Sequence, residues 1–381
     1  MLDTFSTNPA FTLSGLTLSL LRQPMVPGLV GRLGLFRVER LTTTTAVIEI
    51  QGSRLALVPE LPRGAPPTPN VTDRPKLIPF RIPHFPIRDT LYADALQNIR
   101  AFGSSDATEA VQTMVDQRNA SMGLKLDVTL EYLRLGAVRG IIVTAANRVT
   151  GAPETSVDLF RQFDVAPQAV LEWPIRGAGA IGAEAAAWAG QLTALINQLG
   201  RLMAEEVPGG MLTRIHGICG AEFYDAFTAH PERRAAFIGV SSDPATRPQL
   251  GTRTEFREVT IEEYRGRVGE VLFVRPDECH FFPVGVPDLF VELYAPADYW
   301  ETVNTVALPR YAKMQTMDFD KGAQLEAQMN VLPICTAPRA LFTARATDFE
   351  PYGQPNEPET AFAPAAAARD ERENGRRRGR S

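Results

Sequence analysis

The spacing of apolar side chains changes along the chain, and the changes mark its elements. From Met1 to about Val30, short apolar pieces are broken by Ser, Thr, Pro and Gly, which predicts an extended arm with little core of its own. Leu33 to Arg40, Thr44 to Gln51 and the alternating Ser53 to Pro59 predict β-structure. Prolines then crowd the chain at 59, 62, 66, 67 and 69 and recur at 75, 79, 83 and 86. Proline has no N–H to donate, so this stretch cannot form central strands. An arm of roughly fifty residues from Leu33 to Pro86 needs another surface to lie on.

The clearest helix of the first half begins near Asp106, which forms a D-x-x-E capping box with Glu109. Val111, Met114, Val115, Met122, Leu126, Leu130 and Leu133 fall on one stripe, and Gly136 is the predicted stop. From Ala107 to Leu135 such a helix spans on the order of 40 Å. Arg139 to Thr144 and Ser156 to Phe163, separated by a polar turn, predict a β-hairpin. A second helix is predicted from about Ala180 to Glu206, with Ile181, Trp188, Leu192, Leu195, Ile196, Leu199 and Met203 on its apolar face.

Next come a strand over Leu212 to Ile218 and a short helix over Ala221 to Ala229. Strands over Glu255 to Ile261, Gly269 to Arg275 and Leu289 to Tyr294 complete a mixed α/β body from about 173 to 319. Leu325 to Pro333 and Ala340 to Ala346 read as paired strands. Beyond Asp348 the chain is rich in Pro, Ala and charge with few large apolar groups, the composition of a disordered tail.

Composition narrows the classes. Hydrophobic residues make up 44% of 381, enough for a real core, and the formal charge of -5 gives no overall field for nucleic acid or a membrane surface. Cys219, Cys279 and Cys335 are the three cysteines, with no C-x-x-C, so a disulfide framework is not expected and a reducing compartment is. The apolar patch from Leu16 to Leu21 lacks a basic leader and a cleavage site, and no run reaches transmembrane length. Folding in a cytoplasm is the expectation.

Candidate chemistry is sparse. Arg176 to Glu184 reads RGAGAIGAE, a literal G-x-G-x-x-G before a predicted helix. A dinucleotide site also needs an acid at the end of the next strand, about twenty residues on, to take the ribose hydroxyls. Here that spacing falls inside the helix, and Leu212 to Ile218 contains no acid. The glycines fit a flexible hinge into a closely packed helix better than a cofactor loop. His216-x-x-Cys219 and Cys279-His280 lack a third and fourth ligand in any metal pattern. No G-x-S-x-G occurs, and the acid pairs Glu262-Glu263 and Asp318-Asp320 read as solvated loop charges. Arg376, Arg377, Arg378 and Arg380 at the chain end can touch phosphates nonspecifically, but Asp370, Glu371 and Glu373 beside them favour a solubilising role. Catalytic, cofactor-binding and metal residues: none is assigned.

Several segments form an ordered series: Pro27-Gly28-Leu29, Leu35-Phe36, TTTTAVIE over Thr42 to Glu49, Leu55 to Pro59 with Arg63-Gly64, and Ile82-Pro83-His84-Phe85. Ala93 to Gly103, Thr129-Leu130-Glu131 and Gly136 to Gly140 continue it. Taken in this order, they resemble the lambda-like major capsid protein E family of tailed bacteriophages, a likeness that covers about 5 to 345. The resemblance implies the α+β, Hong Kong 97-type capsid fold. In that fold 1–31 is an N-terminal arm, 32–87 an E-loop, and 88–172 the spine helix with the first part of a P-domain. It further implies an A-domain at 173–319, returning P-domain strands at 320–349 and a disordered tail at 350–381.

The resemblance also implies a function: a non-enzymatic major capsid protein, without cofactors, that self-assembles into hexamers and pentamers of an icosahedral or prolate head around double-stranded DNA. Expected partners are other copies, scaffold, portal and decoration proteins, and packaged DNA through nonspecific contact, with no membrane. The expected location is the virion, after synthesis and assembly in the bacterial host cytoplasm. A relative of this fold crosslinks its arm through a lysine and an asparagine, and Lys76 with Asn330 is the pair to examine here. An NAD-linked oxidoreductase, resting on the glycines alone, and a same-fold cargo compartment or gene-transfer particle remain the alternatives.

Overall fold

In the computed structural model the described residues are 11–22, 28–50, 76–96, 107–144, 156–175, 190–207, 212–233, 253–268 and 271–347. The glycine stretch, the proline-dense segment 51–75 and the chain end lie outside them. The described chain opens with helices α1 (Leu13–Arg22) and α2 (Leu29–Arg32) and strands β1 (Phe36–Arg40), β2 (Thr45–Ile50), β3 (Lys76–Arg81) and β4 (His84–Tyr92). Short α3 (Ala93–Leu96) and the long α4 (Ala107–Arg139) follow. Next are β5 (Ile141–Val143), β6 (Ser156–Asp158), α5 (Leu159–Phe163), β7 (Leu171–Trp173) and α6 (Gln191–Glu206). Then come β8 (Arg214–Cys219), α7 (Ala221–Ala229), β9 (Arg253–Phe256), β10 (Val259–Glu263), β11 (Arg267–Val268) and β12 (Val271–Leu272). The last strands are β13 (Glu278–Val284), β14 (Phe290–Tyr294), β15 (Tyr311–Thr316), β16 (Gly322–Cys335) and β17 (Phe342–Ala346).

Two compact units divide the chain. The first comprises Met1–Ala137 and Val286–Ala337, and the second Val138–Gly285 and Pro338–Ser381.

In the first unit the 14-residue β16 organises a five-stranded sheet. β4 runs antiparallel along one edge from Gly322 to Asn330, while the other edge takes β15 over Ala323 to Gln328 and then β14 over Val331 to Cys335. β1 extends the sheet in parallel beyond β14. Burial follows this plan. The first half of β16 alternates, with Ala323, Leu325 and Ala327 buried, and its second half is buried on both faces. α4 buries the expected stripe of Val111, Val115, Met122, Leu126, Leu130 and Leu133. It runs through Gly136 and stops at Gly140, whose φ of +81 is the left-handed conformation that ends helices.

The second unit holds a six-stranded mixed sheet in the order β7-β17-β13-β8-β10-β9. β8 and β13 are buried on both faces over nearly their whole length, and Phe281 meets Trp173 (5.2 Å between ring centroids) and Phe223 of α7 (6.4 Å). Gly217 makes that packing possible: a Cβ there would sit 2.6 Å from Phe281 and 2.9 Å from the Cys279 sulfur.

Several expectations change. Ser156 to Phe163 is a strand only as far as Asp158, whose carboxylate accepts the Arg161 N–H (3.2 Å) and caps α5, so β6 pairs with β5 over three residues. Glu255 to Ile261 is two antiparallel strands, because Arg257 turns the chain with φ 57. Of the strand expected over Gly269 to Arg275, residues 269–270 lie outside the described residues, and within 271–275 the strand is Val271–Leu272. Leu325 to Pro333 and Ala340 to Ala346 do not pair with each other; β16 and β17 lie in different sheets. The mixed body expected over 173–319 divides as well, since β13 joins the second unit and β14 the first. Glu262 and Glu263 are strand residues of β10, and Glu263 is buried with Arg265 as partner (2.7 Å), so they are not solvated loop charges.

Gly217→Ala should destabilise isolated subunits by about 1–3 kcal/mol through overpacking, read as a lower urea midpoint with unchanged slope. An unchanged midpoint would show that Phe281 has room to move.

Candidate functional site

The helix stripe that buries leucines also buries charge. Asp127 and Glu131 are about 5% exposed or less, and Arg134 lies one turn further along α4. Each has a definite partner within the first unit. Asp127 pairs with Arg310, both nearly fully buried. Glu131 accepts the N–H groups of Val30 (2.8 Å) and Gly31 (3.2 Å) and so caps the first turn of α2. The approach is so close that a Cβ at Gly28 would overlap the Glu131 carboxylate. Burial raises the Glu131 pKa, while those two N–H groups, Arg134 and Arg32 pull it down.

Arg134 grips Glu292 of β14 with two hydrogen bonds, Nε to Oε1 at 2.8 Å and Nη2 to Oε2 at 3.1 Å. The Tyr294 hydroxyl donates to the same carboxylate (3.0 Å), and burial pushes that phenol's pKa well up. Residues 127, 131 and 134 thus tie α4 to Arg310, the chain entry at Val30 and β14. In this cluster Asp127 and Glu292 are met by arginines and Glu131 by backbone N–H groups, an arrangement that holds a frame.

The residues singled out for metal or redox chemistry are brought near one another in the second unit, but not into a site. Cys219 lies directly opposite Cys279 across β8 and β13, and His280 opposite Ile218. Because side chains alternate along a strand, the thiols and the imidazoles fall on opposite faces of the sheet. Both cysteines are buried free thiols, and burial pushes Cys279 up. His280 Nδ1 is 3.1 Å from the Thr343 hydroxyl, and His216 lies against the Phe282 ring. Among the described residues no cluster of three potential ligands is suited to a metal ion, and no helix is long and apolar enough to cross a membrane. His84 belongs to the first unit, with Nδ1 2.7 Å from Asn330 Oδ1.

What the first unit does present is apolar surface. The β2–β3 ribbon buries Ala46, Ile78 and Phe80 on one face. Its other face carries Val47 and Leu77, 59% and 62% exposed, with Pro79 facing Val47 across the ladder. Thr45 and Arg81 share that outer face, so Val47, Pro79 and Leu77 form an exposed apolar strip beside polar residues, more apolar surface than a covered ribbon would show. The Ile82 N–H donates to Thr44 O (3.0 Å) and closes its base. Sequence reading missed the partners of Glu131, Arg134 and Glu292. The available signal was the charge falling on α4's apolar stripe.

The sequence profile of the phage major capsid protein E family matches residues 12–346. The chain is 24% identical over 378 residues to the major capsid protein of Salmonella phage Felix O1 (isolate Felix O1-VT1), an alignment covering 90% of this chain and 98% of that one. It is 25% identical over 354 residues to the major capsid protein of Pseudomonas phage KPP10, covering 88% and 97%. In three dimensions it is similar to a solved structure described as a prophage capsid protein from E. coli CFT073. The TM-score is 0.54 at 13% identity, over 88% of this chain and 99% of that one, a likeness of fold.

Two outcomes follow from the buried charges. Arg134→Ala strands the Glu292 carboxylate and should cost about 3–5 kcal/mol in subunit denaturation, whereas Arg134→Met with Glu292→Leu should cost much less. Burial, before the nearby arginines, holds His280 down at about 3 and His216 at about 4, below the ordinary 6.5. The unfolded chain therefore takes up protons that the folded chain refuses. Stability present above about pH 6.5 should fall towards pH 4 by up to about 1.4 kcal/mol per pH unit for each ring. Subunit melts from pH 7.5 to 4.5 should show this slope, and His280→Asn should flatten it; identical slopes would assign the acid sensitivity elsewhere.

Proposed function

From the premise that the chain belongs to the phage major capsid protein E family and is a shell-forming major capsid protein, we propose that its copies join as hexamers and pentamers of an icosahedral or prolate head around double-stranded DNA. Its α+β fold is the Hong Kong 97-type capsid fold, its role is structural, and it is a component of the virion. Synthesis and assembly in the bacterial host cytoplasm, and scaffold, portal and decoration proteins as partners, complete the proposal.

The observation that carries it is the β2–β3 ribbon, whose outer face exposes Val47 and Leu77 as a contact for a neighbour. We assign residues 1–31 to the N-terminal arm, 32–87 to the E-loop and α4 to the spine helix. The sheet around β16 fits a P-domain, and the sheet of the second unit fits an A-domain. The chemistry of such a protein is interface burial. A stable contact buries about 1,600 Å² in total, which a ribbon and a long helix repeated around a ring of copies can supply. The oxidoreductase alternative gains nothing, because its glycines lie outside the described residues and the family is one of structural proteins.

The arm-to-neighbour crosslink is not favoured. Asn330 is 4% exposed, and its amide is occupied, Oδ1 by His84 and Nδ2 by Pro296 O (2.9 Å). Purified particles boiled in denaturant should run as monomer, and a covalent ladder would overturn this. Removing residues 53–73 should leave folded subunits that fail to close shells under the electron microscope. Normal particles from that variant would remove the E-loop from the assembly mechanism.

A further inference from the structure

Between β14 and β15 the chain builds a firm projection. Thr302 is buried, and its hydroxyl lies 2.7 Å from Ala297 O and 2.9 Å from Tyr299 O. The Thr305 hydroxyl donates to Thr302 O (2.8 Å), and the Ala307 N–H to Leu41 O (2.9 Å). Lys313 fastens the outer side, with Nζ 2.8 and 2.9 Å from the Glu301 carboxylate and 4.9 Å from the Tyr299 ring centre. Yet this tied-down segment turns its large apolar side chains outward: Trp300 is 93% exposed, Val306 60% and Val303 59%.

An indole held in water by a rigid loop contributes nothing to its own core. It is the type of group that dominates interfaces, because it brings large area with its conformational entropy already spent on folding. The three side chains offer on the order of 400 Å², about half of what one partner gives to a stable interface. Asp298, 66% exposed at the side chain, flanks them, and Glu301 is paired with Lys313, so the rim offers phosphate no unpaired cation.

A second exposed apolar stripe exists on the same chain. Along the exposed side of α4, Leu124 (51%) and Val128 (45%) stand one turn apart with exposed Lys125 beside them, while Arg118, nearer the helix start, is paired with Asp89 (3.1 Å). We propose that Trp300, with Val303 and Val306, is a self-assembly anchor that docks on the Leu124–Val128 stripe of a second copy, with Asp298 at its rim meeting Lys125. This rests on the shell-forming reading above and names a contact within it.

The test uses the full chain with Trp300→Ala, beside Val303→Cys combined with Val128→Cys. The native cysteines in the structure are buried and so protected from a surface reagent. Trp300→Ala should leave the subunit melt unchanged, because the side chain is almost wholly exposed, and should lower shell yield at least about tenfold, the loss expected of an interface tryptophan. A short bis-maleimide should join the Cys pair between subunits in shells formed by that double variant. Shells forming as well with Trp300→Ala as without it would overturn the anchor while leaving the capsid reading intact. Lost assembly without the Val303–Val128 crosslink would overturn the assigned counter-surface. Failure of the unaltered chain to form shells at all would overturn the reading beneath both.

Discussion

A carboxylate taken out of water must be met by charge and hydrogen bonds, and Glu292 is where the first unit meets that demand most fully. It lies 1% exposed in β14, between β1 and β16, and a carboxyl group buried there needs hydrogen-bond partners at both oxygens. Arg134 supplies two and Tyr294 a third. Because Arg134 is on α4, satisfying the carboxylate sets both the rotation and the axial position of a 33-residue helix against the sheet. The Asp127–Arg310 pair and the Glu131 cap of α2 then add ties in the same register. Leucines alone would let such a helix slide by a turn at small cost. Polar pairs do not, since a slip would bury each charge without its partner.

That register explains how the surfaces available for assembly come to be rigid. The segment beginning at Gly28 is fixed by Glu131, and β1 follows it into the sheet beside β14. Leu41, just beyond β1, bonds on one side to Tyr294 O and on the other accepts the Ala307 N–H, linking the start of the β2–β3 ribbon to the Trp300 projection. Contacts that must repeat in every copy of a shell are thereby supported by backbone bonds rather than by mobile loops. A shell built from one sequence has reason to place its anchors on such supports, because an error of orientation at one contact is compounded around the ring.

Much of this architecture was legible from side-chain spacing. The buried stripe of α4, the extents of β1, β2, β8 and β14 to within a few residues, and α7 follow from local periodicity, which the fold leaves unchanged. What was not legible depends on long-range pairing. That β16 takes β4 along one edge and β14 with β15 along the other cannot be read from alternation, which says which face is buried and not which strand is adjacent. Local chemistry was also misread where an apolar run concealed a cap: Asp158 begins a helix in the middle of a predicted strand. Gly136 and Gly140 both fit a helix stop on composition, and only the backbone conformation at Gly140 separates them.

The buried charges mark the boundary of what spacing can say. Asp127 and Glu131 sit on the apolar stripe of α4, and an isolated amphipathic helix would place water there. Their presence signals that partners arrive from elsewhere, but not which ones: Val30 is 101 residues from Glu131, and Arg310 is 183 from Asp127. The converse holds at Trp300, where a large apolar residue is spent on the surface. In a monomeric protein each exception would weaken folding without return. In a subunit that completes itself only among copies they are complementary: internal charge fixes a single shape, and external apolar groups use that shape to find the next copy. The two kinds of exception to inside-apolar, outside-polar are therefore one device, and the first is a condition for the second, because an anchor on a helix or loop free to shift would have to be ordered anew at every contact.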